Sequence, residues 1–293
     1  MRYFNMYLVN AFTDRAYNGN ATGVILSHGK INDDEMQNIA KDLNQSETVF
    51  IKKIDTGLYS TRFFTPEREI NLCGHATIAT FYALCENEYL LPIERGIQKI
   101  EQLTKCGRIQ VELEYNNYKI DSVYMILNTR EVEKTITNEE IAKSLNIPLE
   151  DIGFKDFDLE PKKIETGGSD IVIPVKSAEM LKKIKPNYEM IYELSERENV
   201  VSFQVFTLES DDKVVQRTFS PSIGVNEEAG SGTSTGATMY YITEHMDKDN
   251  KKITSTQGVE INRKSTLTAE MISKDTVRVG GRAFVFMNGV LNI

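Results

Sequence analysis

The sequence is short of the residues that build the commonest staples and metal centres. Of 293 residues, three are cysteine and three are histidine. Cys73, Cys85 and Cys106 show no paired spacing, which argues against a disulfide framework and for a reducing cytoplasm. His28, His75 and His245 are scattered, and neither HExxH nor CxxC occurs, so no metal site stands out. No GxxxxGK[ST] phosphate loop exists either. No apolar run approaches the ~20 residues of a membrane span. The opening MRYFNMYLVNAF alternates like a strand and lacks the apolar core of a signal peptide. Positive charge is in deficit, 34 Lys and Arg against 43 Asp and Glu, a net charge of −9 with no basic run. That balance argues against nucleic acid as a partner.

What remains is a globular composition, 40% hydrophobic and 26% charged, long enough for about two domains. The spacing predicts strands punctuated by a few helices. Met6–Phe12 and Gly23–Leu26 read as strands around a polar turn. Asn32 with Glu35 forms a capping box, and Met36, Ile39, Ala40 and Leu43 follow at helical spacing until about Asn44. Glu47, Val49 and Ile51 then alternate with Thr48 and Phe50. Glu47 therefore opens a strand just after a helix, where a side chain can be held rigidly. Strands continue at Leu58–Phe64 and Ile109–Glu114. Thr137 and Glu140 cap another helix, and further helices are expected over 178–184 and 188–197. Later strands are Ile171–Val175, Ser202–Leu208, Val214–Phe219, Thr276–Val279 and Ala283–Met287.

An internal comparison is more informative. TRFFTPEREINLCGHATIATFYAL (61–84) overlays QRTFSPSIGVNEEAGSGTSTGATMYYI (216–242). Arg-x-Phe-x-Pro occurs in both, an acidic turn follows, and Ala79, Thr80 and Tyr82 match Ala237, Thr238 and Tyr240. Two related α/β domains follow from this, each with a central helix that starts after a glycine, near 75–87 and 233–246. The expected division is 1–125 and 126–281, with the C-terminal strand (about 282–293) as a candidate completion of the first domain. A helix start offers unpaired N–H groups and a positive dipole end, a ready place for a carboxylate. The run GSGTSTG (230–236) superficially suggests a dinucleotide fingerprint. It lies late, outside a strand–turn–helix opening, and Glu227 and Glu228 directly before it would repel a pyrophosphate.

Four segments, NGNATGV (18–24), QSETVF (45–50), FFTPEREINLCGHAT (63–77) and RTFSPSIGVNEEAGSGTS (217–234), resemble the signatures of the phenazine-biosynthesis PhzF-like family. That family shares the diaminopimelate epimerase fold. The resemblance implies an α/β (α+β) chain of two pseudo-symmetric domains, each a curved mixed sheet around a central helix. It implies a cofactor-independent isomerase of a small carboxylate-bearing substrate, cytoplasmic and homodimeric, with no nucleic acid, membrane or metal involved. Residue by residue it makes Glu47 the proton-moving general acid/base in an interdomain cleft. Gly74, His75, Glu228, Gly232 and Thr233 become substrate contacts. Glu228 stands where the family has aspartate, Ala229 and Gly230 where it has Pro-Ala, and Ala21 where proline is common, so the substrate need not be the family's phenazine precursor. An epimerase, racemase or dehydratase of a small amino or hydroxy acid is the alternative, and a non-catalytic binder is the rival from another class. Cys73 fits the first thiol of a two-thiol epimerase, but Ser231 occupies the second place, and Cys73 reads as a buried apolar residue. A pure binder would have no need of a base at Glu47.

Overall fold

Short-range signals start and stop the outer helices. In the computed structural model, which describes residues 1–154, 159–246 and 251–293, the Asn32 side chain accepts from the Glu35 N–H and the Glu35 carboxylate accepts from the Asn32 N–H. Helix α1 (Asp33–Leu43) ends at Asn44, whose φ of 48° is left-handed, a conformation Asn tolerates. The chain forms two units, 1–126 with 280–293, and 127–279.

In the first unit β1 (Tyr3–Ala11) pairs antiparallel with β2 (Asn20–Leu26) and with the C-terminal strand Ala283–Asn292. After α1, β3 (Glu47–Asp55) runs parallel to β2 and sets Thr22 opposite Glu47. β4 (Leu58–Phe64), the short β5 (Glu69–Ile70) and the central helix α2 (Gly74–Glu86) follow. β6 (Arg95–Thr104) is parallel to β4, and β7 (Gly107–Asn116) and β8 (Lys119–Val132) continue antiparallel. α2 packs on β1, β2, β3 and the C-terminal strand. All its residues except Tyr82 and Glu86 are buried. The threonines this buries are satisfied inside the helix, Thr77 and Thr80 donating to the carbonyls of Cys73 and Ala76 at 2.9 and 2.7 Å.

The second unit repeats the sequence of elements. After α3 (Asn138–Leu145), which carries the expected Thr137/Glu140 capping box, β9 (Lys162–Thr166) pairs antiparallel with β10 (Ser169–Pro174). Helices α4 (Ala178–Lys183) and α5 (Tyr188–Glu198) lead to β11 (Ser202–Leu208), parallel to β10 with Asp170 opposite Ser202. β12 (Lys213–Ser220), β13 (Val225–Glu228) and the central helix α6 (Gly232–His245) come next. β14 (Lys252–Gln257) is parallel to β12, β15 (Ser265–Ser273) antiparallel to β14, and β16 (Thr276–Gly281) leads into the C-terminal strand, β17. The chain is thus a pair of α/β units, each a mixed sheet around one central helix, as the overlay of 61–84 on 216–242 implies.

The overlay has a side-chain counterpart. Arg62 holds Glu69 through two parallel bonds of 2.8 Å and lies 5.2 Å from the Phe64 ring centre. Arg217 holds Glu227 through bonds of 2.9 and 2.8 Å and lies 4.9 Å from the Phe219 ring. The bidentate fork and the stacked ring fix the turn that leads into each central helix. This corrects one inference: Glu227 is neutralised by a buried arginine, so it cannot be counted as a charge that repels phosphate.

Strands β5, β6, β8, β9, β13, β14 and β15 were not read from the sequence. In β6 the apolar residues Ile97, Ile100 and Leu103 recur every third position and so fall on both faces, Ile97 exposed and Ile100 buried, while Gln102 takes another buried place.

Gly280 carries a testable constraint. A Cβ there would lie 2.0 Å from the Val123 carbonyl oxygen and 2.7 Å from Tyr124 Cα. Backbone cannot move aside as a side chain can. Gly280→Ala is expected to lower stability by about 2–3 kcal/mol, read from the denaturation midpoint at unchanged m-value.

Candidate active site

The two central helices differ from the outer ones at their N-termini. α1 and α3 carry acidic first turns and side-chain caps. α2 and α6 have no acidic residue in the first turn, and neither N-cap, Cys73 or Ser231, makes a side-chain cap bond. Their dipole ends are therefore left for something outside the helix.

At the start of α2 three side chains converge. Glu47 opens β3 because α1 has ended three residues earlier, and the strand turns its carboxylate inward, where it is 2% exposed. His75, the second residue of α2, is 4% exposed, and its Nε2 lies 2.6 Å from Glu47 Oε2. The contact has ion-pair distance but falls outside aligned hydrogen-bond geometry, so Oε2 keeps its accepting capacity. Asn20 Nδ2 is 3.1 Å from His75 Nδ1, and Ser46 Oγ donates to Asn20 Oδ1 at 3.2 Å. Either face of that amide serves the ring: Nδ2–H donates to neutral imidazole, and Oδ1 after a flip accepts from imidazolium.

Cys73 Sγ lies 3.4 Å from His75 Nδ1. The thiol does pack among Val49, Phe63 and Ala76 as an apolar residue would, but it also touches the imidazole, which its reading as packing alone omits. Burial pushes the Cys73 thiol up to about 11, so it is neutral near pH 7. Burial works against an imidazolium at His75, yet His75 is held well above its ordinary value by its contacts with Cys73 and Glu47. With the thiol neutral, Glu47 is the partner that accounts for the shift. Donor atoms of Glu47, Cys73 and His75 all lie within 4.8 Å of one another. Sequence spacing had suggested no such cluster, because a strand and a helix start that are distant in sequence bring it together.

In the second unit Glu228 ends β13 and is buried, Gly232 is buried, and Thr233 is half-buried in the first turn of α6. A glutamine network supports this corner. Gln257 Nε2 donates to the Glu228 carbonyl at 3.0 Å and to Thr218 Oγ1 at 2.9 Å, while its Oε1 accepts from the Ser231 N–H at 3.1 Å and from Gln216 at 2.8 Å. In the first unit Gln102 Nε2 donates to Thr77 Oγ1 at 3.1 Å, a simpler version of the same support. Each predicted site residue thus lies at or beside one of the two central helix starts. The sequence reading missed Asn20, although it stands inside the NGNATGV segment, and it missed the glutamines, whose signal is only an even position on a strand.

The ion pair makes a checkable statement about His75. A raised folded pKa means that the pair's stabilisation is complete below the ordinary imidazole value of 6.5 and is lost as pH rises through the folded value. In an NMR titration the His75 imidazole signal is expected to titrate above 6.5 and its midpoint to fall on Glu47→Gln. A His75 signal unmoved by that substitution would remove Glu47 as the cause.

Comparison with known proteins gives a consistent picture. The family model described as phenazine biosynthesis-like protein matches residues 9–289. An uncharacterized isomerase of Clostridium acetobutylicum is 32% identical over 99% of each chain. The crystal structure of a Bacillus anthracis phenazine biosynthesis protein is similar with a TM-score of 0.84, at 26% identity over 100% of both chains. A hydroxyproline epimerase from Agrobacterium vitis, crystallised with trans-4-hydroxy-L-proline, shares the fold with a TM-score of 0.65 at 12% identity, covering 99% of this chain and 92% of that one. No described helix is long and apolar enough to cross a membrane.

Proposed function

Since the chain belongs to the PhzC–PhzF family of phenazine biosynthesis-like proteins, and so to a group of isomerases, we propose that it moves a proton on a small carboxylate-bearing substrate without a cofactor. The observation that carries this is the buried 2.6 Å contact between Glu47 and His75 at an uncapped helix start.

In this reading the ionised Glu47 carboxylate takes a proton from carbon next to an acid or carbonyl group. The first-turn N–H groups of α2, at the positive end of its dipole, receive the substrate's acid group. The imidazole beside Glu47 holds the carboxylate in position before the transfer. The same carboxylate then returns the proton to a second carbon. Glu228, Gly232 and Thr233 are assigned to substrate binding in the second unit. The homodimer and the cytoplasmic setting that the resemblance implies belong to the same proposal.

A second reading has one specific observation behind it. The N-caps Cys73 and Ser231 occupy matching positions, and neither caps its own helix, which is how two opposed bases of an epimerase would be displayed. The raised thiol at Cys73 weighs against it, since a neutral thiol is a poor base.

The test is turnover of a panel containing trans-2,3-dihydro-3-hydroxyanthranilate, trans-4-hydroxy-L-proline and simple 2-amino and 2-hydroxy acids. Glu47→Gln is expected to abolish turnover while affinity changes by less than about tenfold, or ~1.4 kcal/mol. Cys73→Ser is expected to keep most activity. A dead Cys73→Ser with an active Glu47→Gln would replace this reading by the epimerase.

A further inference from the structure

The repeat invites a question about the second unit: where is its counterpart of Glu47? In the first unit β2 and β3 are parallel neighbours with Thr22 opposite Glu47. In the second, β10 and β11 are parallel neighbours with Asp170 opposite Ser202. The acid has changed strands, but each unit keeps one buried carboxyl group at the same rung of the same strand pair.

Asp170 is 1% exposed. Its Oδ1 accepts from Ser202 Oγ, and its Oδ2 has no hydrogen-bond partner. Ser234, on the first turn of α6, adds a second hydroxyl that favours the charged form of Asp170. Ser234 Oγ lies 3.3 Å from Ser202 Oγ and 2.9 Å from Ser231 Oγ, and Ser231 Oγ lies 3.5 Å from Thr233 Oγ1. Ser202 and Ser234 are buried, whereas Ser231 and Thr233 are half-buried. A continuous run of hydroxyls therefore leads from the accessible start of α6 to a buried carboxyl group.

Among the described residues no charge acts on that carboxyl. β9 sets Ile164 opposite Asp170, β11 offers Ser202 and α6 offers Ser234. Burial pushes Asp170 up to about 6, against the opposing effect of the two hydroxyls. A purely structural role would be served by asparagine and would not leave one buried oxygen unpaired at a cost. A protonated carboxyl, in contrast, has a proton to give.

We propose that Asp170 is the proton-holding group of the second unit, supplying a proton through Ser202, Ser234 and Ser231 to an enolate oxygen held at the start of α6. This rests on the isomerase reading above. The transfer balances without a co-reactant. Ser231 gives its hydroxyl proton to the enolate oxygen, Ser234 refills Ser231, Ser202 refills Ser234, and Asp170 refills Ser202 and is left as carboxylate. Collapse of the enol to product returns the proton by the same route. Ser231 is the group that touches substrate, and Asp170 acts through it.

The experiment uses the full chain and two readouts. Infrared spectra without substrate should show a protonated-carboxyl band that disappears with a midpoint near about 6. The band should be missing in Asp170→Asn and displaced in Ser234→Ala. On whichever panel acid is turned over, wild-type kcat should fall as pH rises through that midpoint, because the donor is then ionised. Asp170→Asn should lower kcat by ~10²-fold and remove that limb. Ser231→Ala should do the same, and Ser231→Thr, which keeps a hydroxyl, should restore it. A band that persists in Asp170→Asn, or is unmoved by Ser234→Ala, overturns the proposal, as does a wild-type kcat profile in Asp170→Asn. If no panel acid is turned over, the isomerase reading fails, and the infrared arm alone still decides whether Asp170 holds a proton linked to Ser234.

Discussion

The chemistry proposed for the first unit depends on one contact, a carboxylate and an imidazole buried side by side where a helix begins. Burying two ionisable groups is costly unless each meets the other's charge or a hydrogen bond. Here Glu47 supplies the charge for His75, Asn20 serves the ring's other nitrogen, and the N-terminal end of α2 adds a positive dipole. Removing either partner leaves the other stranded in a nearly dry pocket. That mutual dependence holds both side chains in one geometry, which a proton-transferring group requires.

The surrounding fold is arranged to present that contact. The outer helices close their own ends with capping boxes and acidic first turns. The central helices do not, and spend their sequence on burial instead. Their threonines turn back on the helix carbonyls, which lets polar residues sit inside the sheet without outside partners. The paired arginine–glutamate forks, each stacked on a phenylalanine, set the turn into both helices. The two units thus reuse one supporting frame while differing in the acid it carries, Glu47 on β3 in one and Asp170 on β10 in the other.

Much of this was legible in the sequence where local chemistry decides the outcome. The Asn32/Glu35 and Thr137/Glu140 boxes marked their helices, and the overlay of 61–84 on 216–242 marked the repeat. The positions of Glu47 at a strand entry and of Gly74 and His75 at a glycine-led helix start were legible because both are local features. What stayed hidden depends on distant pairing. β6 went unread because its apolar residues do not alternate, a glutamine taking one of its buried places. The thiol of Cys73 was read as packing alone because nothing in Cys-Gly-His says that the ring folds back toward the sulfur. Asp170 gave no signal at all, since its meaning lies in the register of β10 against β11 and in the hydroxyls of α6. The nucleotide reading of 230–236 was set aside partly on the charge of Glu227, a charge that Arg217 cancels. The position of that run outside a βαβ opening still stands against it.

The central claim is that one carboxylate, Glu47, both takes and returns the migrating hydrogen. The most direct measurement is the fate of deuterium placed on the carbon that loses its proton, followed by mass spectrometry of the product formed in ordinary water. The account predicts that part of the label reappears at the new carbon, because a buried carboxylate exchanges with solvent more slowly than it completes the transfer. Product carrying only solvent hydrogen, at early conversion and across pH, would contradict it and point to two opposed bases.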